Sequence, residues 1–238
     1  MPLSYAIFLF FAAAIAGTLN AVAGGGSFVS FPALLFTRVP AAYLKRLSAP
    51  MRLMVPLLLT SVAGGWAGAL LLLRTPQHTF LHLVPWLLLG GTLLFAFGNR
   101  IRATAGRAAV VDDLRQLSWQ AITVTSILEL LLAVYGGYFG AGIGFVTLGM
   151  LAALGMRDIL AMGAIRTLLA AAINAAAVVT FIWAGAVLWP QCFVMIAGAL
   201  SGGWFGAHYA QKADPQKMRH LVIGVGLAMS AYFFVTTR

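Results

Sequence analysis

Acidic side chains are nearly missing from this sequence. Asp and Glu number five among 238 residues, against fifteen Lys and Arg, and charged residues of both signs make up only 8% of the chain. Water-soluble domains carry roughly 25%. There is too little polar side chain to cover a water-facing globule, and no hydrophilic stretch is long enough for a separate soluble domain. Cysteine occurs once, at Cys192 in an apolar segment, so no intrachain disulfide can form. No Cys/His cluster has metal-ligand spacing, and no nucleophile–base motif is present. Neither metal nor cofactor is therefore expected, and an enzyme is set aside. Lys and Arg are absent before the first apolar run, so no cleaved signal peptide is expected.

What is present is apolar. Hydrophobic residues make up 62% of the chain. Apolar segments fall near 3–23, 50–73, 81–98, 118–137, 160–185, 190–210 and 219–236. Each is close to the roughly 20 residues that cross about 30 Å of hydrocarbon as a helix. None shows the alternation of a membrane barrel. The reading is an all-α integral membrane protein with about seven spanning helices plus two half-helices, its lipid bilayer being its first partner. The net charge of +10 does not point to nucleic acid, because Lys and Arg collect in short loops rather than on a folded face. The basic connection with Arg100, Arg102, Arg107 and Arg115 is placed in the cytoplasm, as is the loop with Lys45 and Arg46.

Two glycine-rich breaks interrupt this pattern. Gly24-Gly25-Gly26 precedes a short apolar piece at 27–36, and Gly140-Ala141-Gly142 precedes another at 145–154. Both pieces are too short to span, and read as half-helices. The breaks recur at an offset of 116, whereas "GGWAGA" at 64–69 and "GGWFGA" at 202–207, like the two "HLV" triplets, recur at 138. These repeats predict two membrane halves, 1–102 and 117–238, with a cytoplasmic loop at 103–116. The offsets differ by 22 residues, the length of one membrane helix, so the first half is expected to lack a helix near 42–43. With that helix restored, the halves would be inverted repeats.

In hydrocarbon, a broken helix is tolerated only where it is buried in protein or lines a wet cavity. The half-helix after the break offers unpaired amides and the positive end of its dipole, which suits an anion. Paired breaks at matching places in two halves point to a transporter's substrate site. The alternative role for small residues is close helix packing, which is the reading adopted for the GGWxGA segments.

At these residues the chain resembles the sulfite exporter TauE/SafE family: "GTLNAVAGGG" near the N-terminus, "YGGYFGAGIGF" at 135–145, "GMRDILAMGAIRTLLAAAINAAAVV" at 155–179 and the closing "GGWFGAHYAQK". The resemblance implies a polytopic inner-membrane protein of two repeats that moves small sulfur-containing anions such as sulfite or organosulfonates. It departs from the family in two places. The Asn-Ala-Thr-Asn-like helix usual after the first half-helix is absent, since "VPAA" passes straight to "YLKRL". The usual Asn-Ala-Leu-Lys-like run appears as Gly163, Ala164, Ile165 and Arg166, which keeps a basic residue and loses the Asn.

The candidate substrate-binding residues are Asn20, Gly24, Gly25, Gly26, Ser27, Gly140, Gly142, Gly144, Arg166 and Asn174. Arg166 either snorkels to the loop holding Arg157 and Asp158 or supplies charge to an anion. Asn20 and Asn174 either bond substrate or hold helices together. Glu129 falls about 11 residues into its helix, near the bilayer midplane, where a charge costs about 3 kcal/mol or more. It is the candidate for proton coupling, against a neutral carboxyl that serves packing. The functional expectation is alternating-access transport of a small anion. The alternative is a non-transporting or degenerate membrane protein that acts as an interaction partner, or a copy that completes its site as a homodimer.

Overall fold

A computed structural model of the chain describes residues 1–20, 50–107, 114–156, 158–210 and 215–236. They are helical, without strands among the described residues. The helices are α1 (Leu3–Asn20), α2 (Met51–Arg74), α3 (Gln77–Arg107), α4 (Trp119–Tyr138), α5 (Ile143–Ala153), α6 (Ile159–Trp183), α7 (Trp189–Ala210) and α8 (Pro215–Thr236). The seven apolar segments of the sequence correspond to the seven long helices, and the 145–154 piece to the 11-residue α5. Among the described residues, four helices are long and apolar enough to cross a bilayer, namely α2, the Gln77–Gly98 part of α3, α4 and the Ala161–Trp183 part of α6. Large apolar residues cover their outer faces, Leu59 being 66% exposed and Leu131 63%. Lipid is the solvent such faces require. The chain is a multi-pass membrane protein.

Local chemistry sets the helix starts. Ser118 caps α4 by accepting from the Ala121 amide at 3.1 Å, and Asp158 Oδ1 accepts from the Ala161 amide at 3.3 Å at the start of α6. Helix α3 overruns its apolar segment. Its 31 residues extend about 46 Å, more than the hydrocarbon thickness, so the end carrying Arg100 projects past it.

The described residues form two compact units. One holds α1, α7 and the first part of α8; the other holds α2 to α6 and the rest of α8. In the second unit, α2 and α4 run side by side in the same direction. The Arg52 guanidinium stacks 3.9 Å over Trp119 at their starts, Ser61 meets Glu129 midway, and Gly68 meets Val134 and Tyr138 further on. The α6 helix follows them, with Ile165 in the core near Leu53 and Leu57, and Ile173 against Gly65. Helix α5 then brings Met150, Leu151 and Leu154 back to that core, beside Leu117 and Ile122. The chain therefore goes in along α4, turns, and returns along α5 to the side it left.

The two glycine segments pack alike. In α2 against α4, a side chain at Gly64 would meet Leu130 and Ala133, and one at Gly68 would meet Val134 and Tyr138. In α1 against α7, Gly202 faces Ala14 and Gly206 faces Thr18 in the same way. The offset of 138 carries Gly64 and Gly68 onto Gly202 and Gly206, and the offset of 116 carries Ala14 and Thr18 onto Leu130 and Val134. The α2–α4 and α1–α7 seams thus share one register. Small residues let these backbones approach, as in membrane helix pairs generally.

Candidate functional site

The second glycine break is a tight reversal between α4 and α5. Gly140 and Gly142 have φ of +82° and +80°, the left-handed region that favours glycine. Gly142 stands at the cap position of α5, and the Phe145 amide donates to its carbonyl at 3.2 Å. The reversal is clamped on one side by the Tyr135 hydroxyl, which donates to the Ala141 carbonyl at 3.0 Å. On the α3 side there is no spare room: a Cβ at Gly142 would lie 2.7 Å from the Gly91 carbonyl oxygen. Gly142→Ala should therefore lower stability by about 1–3 kcal/mol, through both the left-handed backbone and the contact. Thermal unfolding in detergent checks this, and an unchanged melting temperature would show that the turn tolerates a side chain.

On the other side of the reversal lies Arg166. Its Nη1, Cδ and Cζ sit 3.2, 3.3 and 3.5 Å from the place a Cβ would occupy on Gly144, in the first turn of α5. The side chain thus reaches inward to the deep end of the half-helix instead of outward to the loop at 157–158. A guanidinium and the positive end of a helix dipole repel each other unless negative charge lies between or beside them. As a physical rule, a guanidinium and a helix N-terminus each favour an anion as partner.

Beside the same reversal is an open, apolar cavity of about 350 Å³, lined by Trp86, Leu87, Leu93, Leu94 and Phe97 of α3 and by Tyr135 of α4. Glu129 lies elsewhere on α4. It is fully buried, with Ser61 Oγ donating to its Oε1 at 2.6 Å, while Oε2 has no hydrogen-bonding partner.

The other sequence candidates fall as follows. Asn174 is exposed and donates to its own helix, at the Ala170 carbonyl 2.7 Å away. Asn20 closes α1, and its side chain lies outside the description, as do Gly24, Gly25, Gly26 and Ser27 altogether. Among the described residues, Gly140, Gly142, Gly144 and Arg166 come together, and Glu129 sits apart in the α2–α4 seam. Sequence reasoning missed Ser61, Tyr135 and the α3 glycines that close on the break. A serine three residues before the GGWAGA packing segment was the available signal for Ser61.

Long apolar helices with lipid-suited faces, and a half-helix that returns to the side it left, define a polytopic membrane protein with a re-entrant element. The comparisons give the particular family. The profile of the sulfite exporter TauE/SafE family matches residues 39–233, and the chain belongs to that family. A probable membrane transporter protein, ORF9, of a Sinorhizobium species is 29% identical over 252 aligned positions, covering 94% of this chain and 90% of the relative. A probable membrane transporter protein of Haemophilus influenzae is 25% identical over 94% of this chain and 92% of its own length, and Escherichia coli YfcA, also a probable membrane transporter protein, is 23% identical over 94% and 87%. No solved structure matches the chain.

Proposed function

We propose that this protein carries a small anion, such as sulfite or an organosulfonate, across the inner membrane by alternating access around the glycine breaks. The observation that carries the reading is the closeness of Arg166 to Gly144: a half-buried cation set against the amide end of a half-helix. The apolar cavity on the α3 side of the same turn adds support for an organic anion, whose hydrocarbon part it would suit. The like register of the two glycine seams supports two repeats, and inverted repeats place a substrate site at the midplane.

Glu129 is the proton carrier in this scheme. Glu129→Gln holds the carboxyl's shape but cannot ionise, so it should abolish the pH dependence of flux in proteoliposomes. A variant whose flux keeps the wild-type pH profile would remove that role.

A second reading has its own observation. The alignment with the Sinorhizobium relative spans 252 positions, more than the 238 residues of this chain, so the relative carries residues that this chain lacks. That agrees with a first half one helix short, and favours a partner protein that no longer transports or a homodimer that restores the site. Flux of a labelled sulfonate through proteoliposomes separates the readings. Saturable flux above empty liposomes supports transport, and flux at the empty-liposome rate supports the partner.

A further inference from the structure

We propose that Ser61 and Glu129 form a proton-binding site built into the α2–α4 seam, in which Ser61 positions the carboxyl and the seam opens when the proton leaves. The site's existence does not depend on the transport reading; what the proton drives does.

The molecule supplies its own control. The α1–α7 seam repeats the glycine contacts of the α2–α4 seam in the same register. The repeat offsets that align those contacts place Ala199 where α2 has Ser61, and Ala13 where α4 has Glu129. Ala13 is buried, and its Cβ lies 3.1 Å from the place a Cβ would take on Gly198. Two alanines therefore suffice to pack this kind of seam. A carboxyl and a hydroxyl at the same places are an addition that packing does not require, at a depth where ionisable groups are functional by default.

The direction of the Ser61 hydroxyl agrees. The hydroxyls of Thr92, Thr125, Thr147, Thr167, Thr180 and Ser230 all donate to the carbonyl four residues back in their own helix. That is the default for Ser and Thr inside membrane helices. Ser61 instead crosses to the next helix and donates to Glu129 Oε1 at 2.6 Å, both residues being 0% exposed.

The seam as it stands suits the neutral acid. Oε1 accepts from Ser61, and Oε2 carries the proton. On release, the Oε2–H bond breaks, the proton passes to a water molecule, and a carboxylate remains with only Ser61 to stabilise it. One hydroxyl does not replace hydration for a buried carboxylate. Water must enter, and the closed seam leaves it no room: Gly64 and Gly68 of α2 are already in backbone contact with α4, and Gly137 of α4 is in backbone contact with Gly65. Ionisation and separation of α2 from α4 are thereby one event. Ser126, one turn back on α4, holds a second buried hydroxyl without a partner, ready for an entering water.

Among the described residues of the packed helices, no other charge stands in for the proton. On α2 the charged groups are Arg52, which stacks on Trp119 at the helix start, and Arg74 in the last turn, about 20 Å beyond Ser61 by helix rise. On α6 the charged group is Arg166, held against Gly144. On α4 the other titratable groups are Tyr135, which donates to the Ala141 carbonyl, and Tyr138, which donates to Thr75 Oγ1 at 3.3 Å, and α5 carries none.

The test uses the full chain in lipid nanodiscs. Infrared difference spectra across a pH titration should show the carbonyl band of a protonated carboxyl, absent in Glu129→Gln. Ser61→Ala should move that band to higher frequency, since the carbonyl oxygen loses its donor, and Ser61→Thr should restore it. Hydrogen exchange of amides in 57–68 and 126–137 should quicken at least tenfold more than solvent pH alone dictates as the band disappears. The double variant Ser61→Ala/Glu129→Ala, which copies the alanine seam, should stay folded and lose that excess. A wild-type band that Glu129→Gln leaves in place, or excess exchange retained in the double variant, would overturn the proposal, as would a seam that responds to sodium at fixed pH. Excess exchange without anion flux would uphold the proton site and sink the transport reading; flux with a pH-indifferent seam would do the reverse.

Discussion

Arg166→Gln should cut anion flux by about 30-fold to 4,000-fold at equal amounts of reconstituted protein. The estimate follows from removing one charged partner of a buried polar contact, which costs about 2–5 kcal/mol, at about 1.4 kcal/mol per tenfold. The side chain is not replaceable by length alone. Its Nη1 and Cζ lie 3.2 and 3.5 Å from the place a Cβ would take on Gly144, and a planar fork can hold two oxygens of a sulfonate or sulfite together. Arg166→Lys keeps the charge but not the fork, so an intermediate loss is expected. Initial rates of labelled-anion uptake into proteoliposomes check both variants. Wild-type rates in Arg166→Gln would move the anion site away from α6.

Gly68→Leu is expected to have the largest effect on folding. A Cβ at Gly68 would run into the Val134 carbonyl oxygen and lie 2.8 Å from the Tyr138 amide nitrogen. Both are backbone atoms of α4, so no side-chain rotation relieves the contact and the two helices must move apart. Overpacking typically costs 1–3 kcal/mol and occasionally more, and the rigid neighbours here put this site at about 3 kcal/mol. That is a large part of a typical folding free energy. The expected outcome is poor recovery of monodisperse protein from detergent and a clearly lowered melting temperature. Gly90→Ala is the control, because a Cβ there meets nothing within 4 Å. Wild-type melting of Gly68→Leu would contradict the packing described for the seam.

Much of the fold was legible in the sequence because the bilayer constrains it so strongly. An apolar run of about 20 residues has few options other than a helix, so the segments near 50–73 and 118–137 map onto Met51–Arg74 and Trp119–Tyr138 almost residue for residue. Helix α3 was less legible. Hydrophobicity marks the part of a helix in lipid, and hydrogen bonding continues through Arg100 into water, where the apolar signal ends. The offsets of 116 and 138 were visible as letters, but only coordinates reveal that they describe two seams packed in one register.

Legibility fell off at the site because its chemistry depends on long-range contacts. Gly140 and Gly142 announced a turn, and the turn has the left-handed backbone their composition suggests. Sequence left Arg166 with two directions open, outward to its loop or inward to the break, and nothing in its neighbours decides between them. The 68 residues between Ser61 and Glu129 hide their hydrogen bond in the same way. A serine in an apolar helix ordinarily bonds its own backbone, so the letter alone carries no hint of a partner on another helix.

An anion bound where Arg166 approaches the start of α5 should register in the ligand-dependent stability of the purified protein. A bound anion stabilises the folded state by about 2.7 kcal/mol at 100 times its dissociation constant. Ethanesulfonate or sulfite should raise the melting temperature of the wild type in a saturable way, at constant ionic strength, and leave that of Arg166→Gln unmoved. Saturable stabilisation of equal size in both proteins would contradict a site at Arg166.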